Sequence, residues 1–236
     1  MDLKGKAAKA ALKFVKDDMA IGLGSGSTTA YFIRFLGEKI SSGKIKNLVA
    51  VATSGETARL AEAHGIQLTS LTEYPELDLT VDGADEVDQN LNLIKGLGHA
   101  LLREKIIETN SRYFVVIVDE SKLVLRLGSK NALPVEIVKF EAETHIRWLR
   151  TLGCRAELWL KEDGSPVVTE NGNFLARCWF TDSKSNIGIS NPYELAAALS
   201  TRPGIVEHGL FLDMADHVIV AGEGGIQEFN RDQPLF

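Results

Sequence analysis

Four apolar runs, each cut off by a polar or glycine-rich segment and then followed by a new element, leave this chain few folds to adopt. They are "MAIGLGSGSTT", "KNLVAVATSGET", "LDLTVDGAD" and "RYFVVIVDESK". The runs have the length and β-branched content of buried strands. Between them "AYFIRFLGEKI", "GETARLAEAHG" and "HALLREKIIETN" carry helical patterns, and ahead of them Ala8, Ala11, Leu12 and Val15 repeat at i, i+3, i+4, i+7. Strands that alternate with helices specify an α/β fold with a Rossmann-like parallel sheet, whose ligands sit beyond the carboxyl ends of the strands. The segments "GSGSTT", "TSGET", "DGADEVD" and "DESK" therefore share one rim.

After Gly128 the texture changes. "LPVEIVKFEAETHIRWLRTLG" predicts a strand and a helix, while "AELWL" and "PVVTENGNFLARCWF" predict antiparallel strands joined by turns. Near Asn191 the pattern returns to a helix, a short strand and a final strand. We expect a Rossmann-like catalytic domain over residues 1–128 and 200–236, with a smaller α+β domain inserted at 129–199. At 236 residues and 44% hydrophobic content the chain is long and apolar enough to bury such a core.

A net charge of −6 without a basic stripe argues against nucleic acid as a partner. No apolar run approaches the ~20 residues a bilayer requires, and the amino terminus is too charged for a signal peptide, so a cytoplasmic protein without membrane association is expected. Cys154 and Cys178 fit no metal or redox pattern and are expected as buried, reduced thiols.

The rim segments carry the chemistry. Gly22, Gly24 and Gly26 permit a tight turn that gathers backbone N–H groups, and Ser25, Ser27, Thr28 and Thr29 add hydroxyls at a helix start, a combination suited to phosphate. The pattern departs from both GxGxxG and GK[ST], which disfavours NAD and ATP. Asp82 and Asp85 flank two small residues, so a substrate can approach closely, and paired carboxylates can divide acid and base work. A turn-forming Asp-Gly with a helix-capping acid is the plainer alternative. Lys95 precedes Gly96, Leu97 and Gly98, a loop able to present a cation and N–H groups to oxyanion charge, although a lysine taken alone is usually solvated. Glu104 lies on the helical face away from Leu102 and Ile106, which on sequence alone makes it an exposed helix charge. None of the histidines, His99 included, has metal-ligand spacing, and no metal is expected.

Taken together, "GLGSGSTT", "TSGET", "DGADEVD", "LIKGLGHALLREKI", "VDESK", "LPVEI" and "RPGIVEHGLF" occur in the order found in the A-type ribose-5-phosphate isomerases, which the chain closely resembles over essentially its full length. The resemblance implies a cofactor-free and metal-free aldose–ketose isomerisation of ribose 5-phosphate and ribulose 5-phosphate in the pentose phosphate pathway. It assigns catalytic roles to Glu104 as general base, to Asp82 and Asp85, and to Lys95. Substrate binding falls to Gly24, Ser25, Gly26, Ser27, Thr28, Thr29, Gly96, Leu97, Gly98 and Lys122. An early lysine also holds phosphate in relatives, and Lys4 and Lys6 both stand near that position. It further implies a homo-oligomer, dimer or tetramer, acting on a small sugar phosphate.

Leu97 and His99 depart from the small residues common at those places in relatives. Pointing outward they leave the chemistry untouched; pointing inward they narrow the pocket. The competing readings are an isomerase for another aldose phosphate, a non-catalytic sugar-phosphate sensor, and a CoA transferase using a covalent glutamate.

Overall fold

The computed structural model describes residues 2–180 and 188–230. The chain begins with helix α1 (Leu3–Ala11), β1 (Ala20–Leu23), α2 (Ser27–Ser41), β2 (Val49–Ala52), α3 (Gly55–Ala63), β3 (Gln67–Leu68) and β4 (Leu79–Asp82). It continues through β5 (Glu86–Val87), β6 (Leu93–Ile94), α4 (Leu101–Thr109), β7 (Phe114–Asp119), β8 (Leu133–Ile137), α5 (Ala142–Arg150), β9 (Arg155–Leu158) and β10 (Phe174–Trp179). Last come α6 (Pro192–Thr201), β11 (Ile205–His208), β12 (Leu210–Phe211), β13 (His217–Gly222) and β14 (Gly225–Asn230).

The chain divides into two compact units. The first comprises Met1–Ala84, Arg103–Leu123 and Met214–Phe236. Its seven-stranded sheet has the order β14-β13-β7-β4-β1-β2-β3, parallel except where β14 turns back antiparallel on β13. The α/β architecture anticipated from the alternating runs is thus present. The parallel strands grow outward in both directions from β1 and β4, so the order reverses between these two neighbours. That reversal is the point at which open α/β sheets place ligands. On one face Phe32, Ile33 and Leu36 of α2 pack with Ile21, Leu23, Val81, Val115 and Ile117. Burying each such side chain contributes roughly 1.5–3 kcal/mol, which fixes α2, and the loop that feeds it, against the sheet.

The second unit comprises Asp85–Leu102 and Val124–Asp213, where the sequence suggested an insertion at 129–199. The difference has a physical origin in two-residue strands that carry no readable period. β6 pairs antiparallel with both β5 and β12, tying residues 86–94 to Leu210 and Phe211. A separate antiparallel sheet has the order β11-β8-β10-β9. One face of it packs Val135, Ile137, Ala176 and Cys178 against Ile146 and Leu149 of α5 and Leu195 and Leu199 of α6. Residues before β10 form only isolated bridges, Leu160 with Pro166 and Val168 with Phe174, in place of the full strand expected there. Pro166 has no N–H to donate to a ladder. Cys154 and Cys178 are free and buried.

Among the described residues no helix is long and apolar enough to cross a membrane.

Within the second unit the turn between β5 and β6 encloses an acid. Asp88 is buried, and its Oδ1 accepts hydrogen bonds from the N–H groups of Asn90 (2.8 Å) and Asn92 (2.9 Å). Burial, with the charge of Asp213 adding to it, raises its pKa above the ordinary carboxylate value. A carboxyl that holds its proton more tightly folded than unfolded loses stability as pH rises from the unfolded value, about 3.9, through the folded one. Asp88→Asn keeps an oxygen for the two amides and removes the buried charge. Thermal unfolding of the two proteins should therefore show the variant more stable than wild type at pH 7, with the advantage shrinking toward pH 4. An advantage that grew on acidification would contradict the assignment.

Candidate active site

The loop from β1 to α2 is built around a close approach. A Cβ on Gly24 would lie 1.8 Å from Asp82 Oδ1, so only glycine lets the end of β1 run beside the end of β4. Gly24 N–H donates to Val81 O (3.0 Å), and the N–H of Ser25 donates to Asp82 Oδ1 (3.0 Å). Thr29 Oγ1 (3.2 Å) and the N–H of Gly83 (2.6 Å) donate to the same oxygen. Asp82, fully buried, is thereby held in one orientation by the loop it faces.

Gly26 is the N-cap of α2, with φ +100° and no side-chain capping bond. The first N–H groups of a 15-residue helix are left for another acceptor, and no acidic residue stands in its first turn. Such a helix end favours an anion. Ser27 is exposed, Thr28 half-buried and Thr29 buried. Lys4 Nζ donates to Ser27 Oγ (2.9 Å), whereas Lys6 is exposed, so the structure distinguishes two lysines that the sequence left equivalent. Lys122 ends the short helix Glu120–Lys122 after β7 and is half-buried.

The segment "TSGET", expected on the rim, brings hydroxyls to which the sequence assigned no part. Ser25 Oγ lies 2.8 Å from Thr53 Oγ1, 2.8 Å from Ser54 Oγ and 3.0 Å from Thr57 Oγ1. Thr57 Oγ1 donates to Gly24 O (2.9 Å), and Ser54 caps α3 by accepting from Thr57 N–H (3.1 Å). The start of α3 therefore braces the glycine loop. The hydroxyl density of the motif was the available signal.

Glu104 corrects the sequence reading. It is 4% exposed, while Ile106 on the same helix is 46% exposed. α4 turns Glu104 and Glu108 inward together with Leu101, so the face with the acids is the buried one. An ionisable group in such a place costs free energy unless its surroundings compensate.

The remaining candidates belong to the second unit. Lys95, expected in solvent when considered alone, is 2% exposed, and its ammonium sits 5.5 Å from the Phe211 ring centroid. Its N–H donates to Gly209 O (2.9 Å). The Asp85 carboxylate accepts from the N–H of Leu97 (2.9 Å), and Asp85 N–H donates to Ile94 O (2.8 Å). Gly96 has φ +105°, and a Cβ there would meet the Leu101 side chain at 2.8 Å. Leu97 and His99 are half-buried and Gly98 is exposed. Glu86, passed over in the motif, is a loop organiser: its carboxylate accepts from the N–H groups of Gly128 (2.6 Å), Lys130 (2.9 Å) and Asn131 (2.6 Å). Among the described residues no group of three or more His, Cys, Asp or Glu is placed to hold a metal ion.

Residues 49–225 match the family ribose 5-phosphate isomerase A (phosphoriboisomerase A). The chain belongs to this family. It is 46% identical over 232 residues to the ribose-5-phosphate isomerase A of Pyrococcus horikoshii, covering 98% of each chain. A probable ribose-5-phosphate isomerase 2 of Arabidopsis thaliana is 46% identical over 235 residues, 98% of this chain and 87% of the relative. A D-ribose-5-phosphate isomerase solved in complex with phospho-erythronic acid superposes with a TM-score of 0.92 at 44% identity, over 98% of this chain and 100% of that one. The ribose 5-phosphate isomerase A of Methanocaldococcus jannaschii gives 0.89 at 41% identity, over 97% and 98%.

Among the described glycines of this ribose 5-phosphate isomerase A family member, Gly24 leaves a Cβ the least room, because of Asp82. Gly24→Ala should displace the Asp82 carboxylate and lower kcat/KM by about a hundredfold, since a misplacement near 1 Å can cost an enzyme that much. Steady-state kinetics alongside circular dichroism checks this. A folded variant with wild-type kcat/KM would show that Asp82 need not be held there.

Proposed function

We propose that this chain interconverts ribose 5-phosphate and ribulose 5-phosphate through a cis-enediolate, using Glu104, Asp82, Asp85 and Lys95 and no metal or cofactor. The observation that carries the reading is the burial of Glu104 and Lys95. A module that only recognised a sugar phosphate could keep both charges at a solvated rim, whereas proton transfer and oxyanion stabilisation gain strength away from water. This favours an enzyme over a sensor.

In the proposed mechanism the phosphate is held by the N–H groups and hydroxyls of Gly24, Ser25, Gly26, Ser27, Thr28 and Thr29, with Lys4 and Lys122 supplying positive charge. Binding energy at this remote group orients the reacting carbons. Asp82 moves the proton that opens the ring, and Asp85 positions hydroxyls. Glu104 then removes the C2 proton of the open-chain aldose and returns it to C1, while the O2 proton ends on O1. One carboxylate serves both half-reactions. Charge that develops on the carbonyl oxygen is met by Lys95 and by N–H groups of Gly96 and Gly98, while the Leu97 N–H stays on the Asp85 carboxylate. A donor of this kind is typically worth roughly 3 kcal/mol of barrier. We place this activity in the cytoplasm, in a homo-oligomer.

The test is turnover of ribose 5-phosphate by purified protein in excess EDTA, with ribulose 5-phosphate quantified against Glu104→Gln. Wild type should form product, and the variant should lose about a thousandfold or more in kcat while still binding ribose 5-phosphate in a calorimeter. Near wild-type turnover by Glu104→Gln would assign the base elsewhere. A folded wild type that binds without turnover would overturn the isomerase reading.

A further inference from the structure

The turn that carries the proposed oxyanion donors ends in a residue poorly suited to its backbone. His99 has φ +68°, in the left-handed region where a residue with a Cβ is disfavoured and glycine is not. Its N–H donates to Gly96 O (2.9 Å), closing the turn. Strain of this kind persists where the surroundings compensate for it, and for His99 the surroundings are aromatic. Its ring meets the indole of Trp159 edge-on, with centroids 4.5 Å apart and planes at 90°, a favoured aromatic geometry.

Trp159 is itself anchored. Its N–H donates to Leu175 O and its carbonyl accepts from Val167 N–H, both at 2.8 Å. The Arg177 guanidinium lies 5.4 Å from its ring centroid and donates to Glu157 (2.8 Å). The imidazole Nε2 is buried with no hydrogen-bond partner among the described residues, so that nitrogen does not hold the ring in place. Burial lowers the His99 pKa and so favours the neutral ring, which suits a neighbour of the cation-bearing indole.

We propose that His99 is a positioning residue, whose edge-on contact with Trp159 latches the Gly96–His99 turn to the antiparallel sheet of the second unit. Asp85 holds the middle of the same turn through Leu97 N–H, and Gly209 holds its start through Lys95 N–H. The latch sets the far end, and with it the direction of the N–H groups that face developing charge. The proposal deepens the isomerase reading and rests on it for its kinetic consequence; its structural content stands apart.

Two measurements separate the two. In hydrogen–deuterium exchange, His99→Gly and Trp159→Ala should each speed exchange across residues 95–100 by about tenfold, and Trp159→Phe, which keeps an aromatic face, should stay near wild type. His99→Gly also relieves the backbone strain, so it should fold with little change in Tm. In ribose 5-phosphate turnover, His99→Gly should lower kcat about tenfold with KM within about twofold, the pattern of an interaction felt in the transition state. Trp159→Ala should behave alike, and the double variant should be no worse than either single one, as for two residues acting through one contact. Unchanged exchange in both single variants overturns the latch whatever the activity. Wild-type kcat in His99→Gly, additive losses in the double variant, or a Trp159→Phe protein as impaired as Trp159→Ala would equally overturn the positioning role. Failure of the wild type to turn over would count against the isomerase reading, and exchange alone would then decide the latch.

Discussion

The first unit depends on the approach of Gly24 to Asp82. Two neighbouring parallel strands, β1 and β4, end side by side where the strand order reverses, and the turn after β1 has to pass the carboxylate at the end of β4. A side chain at position 24 would occupy the space of the carboxylate itself. With glycine there, the loop amide of Ser25 and the hydroxyl of Thr29 become donors to Asp82, and α2 starts in a direction that leaves its leading amides to an anion. The fixed Asp82 carboxylate and the open start of α2, to which proton transfer and phosphate binding are proposed, are thus products of one steric fact. Thr53, Ser54 and Thr57 then fix the loop from the side, which is why the "TSGET" segment shares the rim.

The second unit meets a different constraint. Lys95 leads into a turn with two glycines, Gly96 and Gly98, whose backbone freedom has to be limited if its amides are to point one way. Gly96 adopts a φ open only to glycine at little cost, and Gly98 is exposed. The ordering comes from three directions: Gly209 O on the Lys95 amide, Asp85 on the Leu97 amide, and Trp159 on the His99 ring. Asp85 therefore has a structural task as well as its proposed role with substrate hydroxyls.

How much of this was legible in the sequence follows from what periodicity encodes. Buried parallel strands appear as continuous apolar runs, so β1, β2, β4 and β7 and the loops after them could be read directly. Strands of two residues encode nothing, and the pairing of β6 with β5 and β12 drew the second unit wider than the change of texture at Gly128 suggested. A helical wheel assumes that apolar residues face inward. α4 meets this assumption with Leu101 and Ile107, which are buried, and departs from it where Ile106 faces outward and Glu104 and Glu108 share the buried face. Lys4 and Lys6 were equivalent in sequence, and only the course of α1 sets Lys4 beside Ser27.

The burial of acids on α4 bears on the function itself. Local rules fail where a structure tolerates a cost for a reason outside folding, and here the failures are specific. Glu104 and Lys95, two residues whose bland reading was a solvated charge, are both buried. His99 sits in backbone space better suited to glycine, and Gly24 allows no substitution without displacing Asp82. These departures fall on the segments that the family resemblance marks as catalytic or substrate-binding, or immediately beside them. A protein that only bound a sugar phosphate would need the anion site of α2. It would not need to bury a carboxylate and an ammonium, and the burial of Glu104 and of Lys95 is the physical argument for the roles proposed for them.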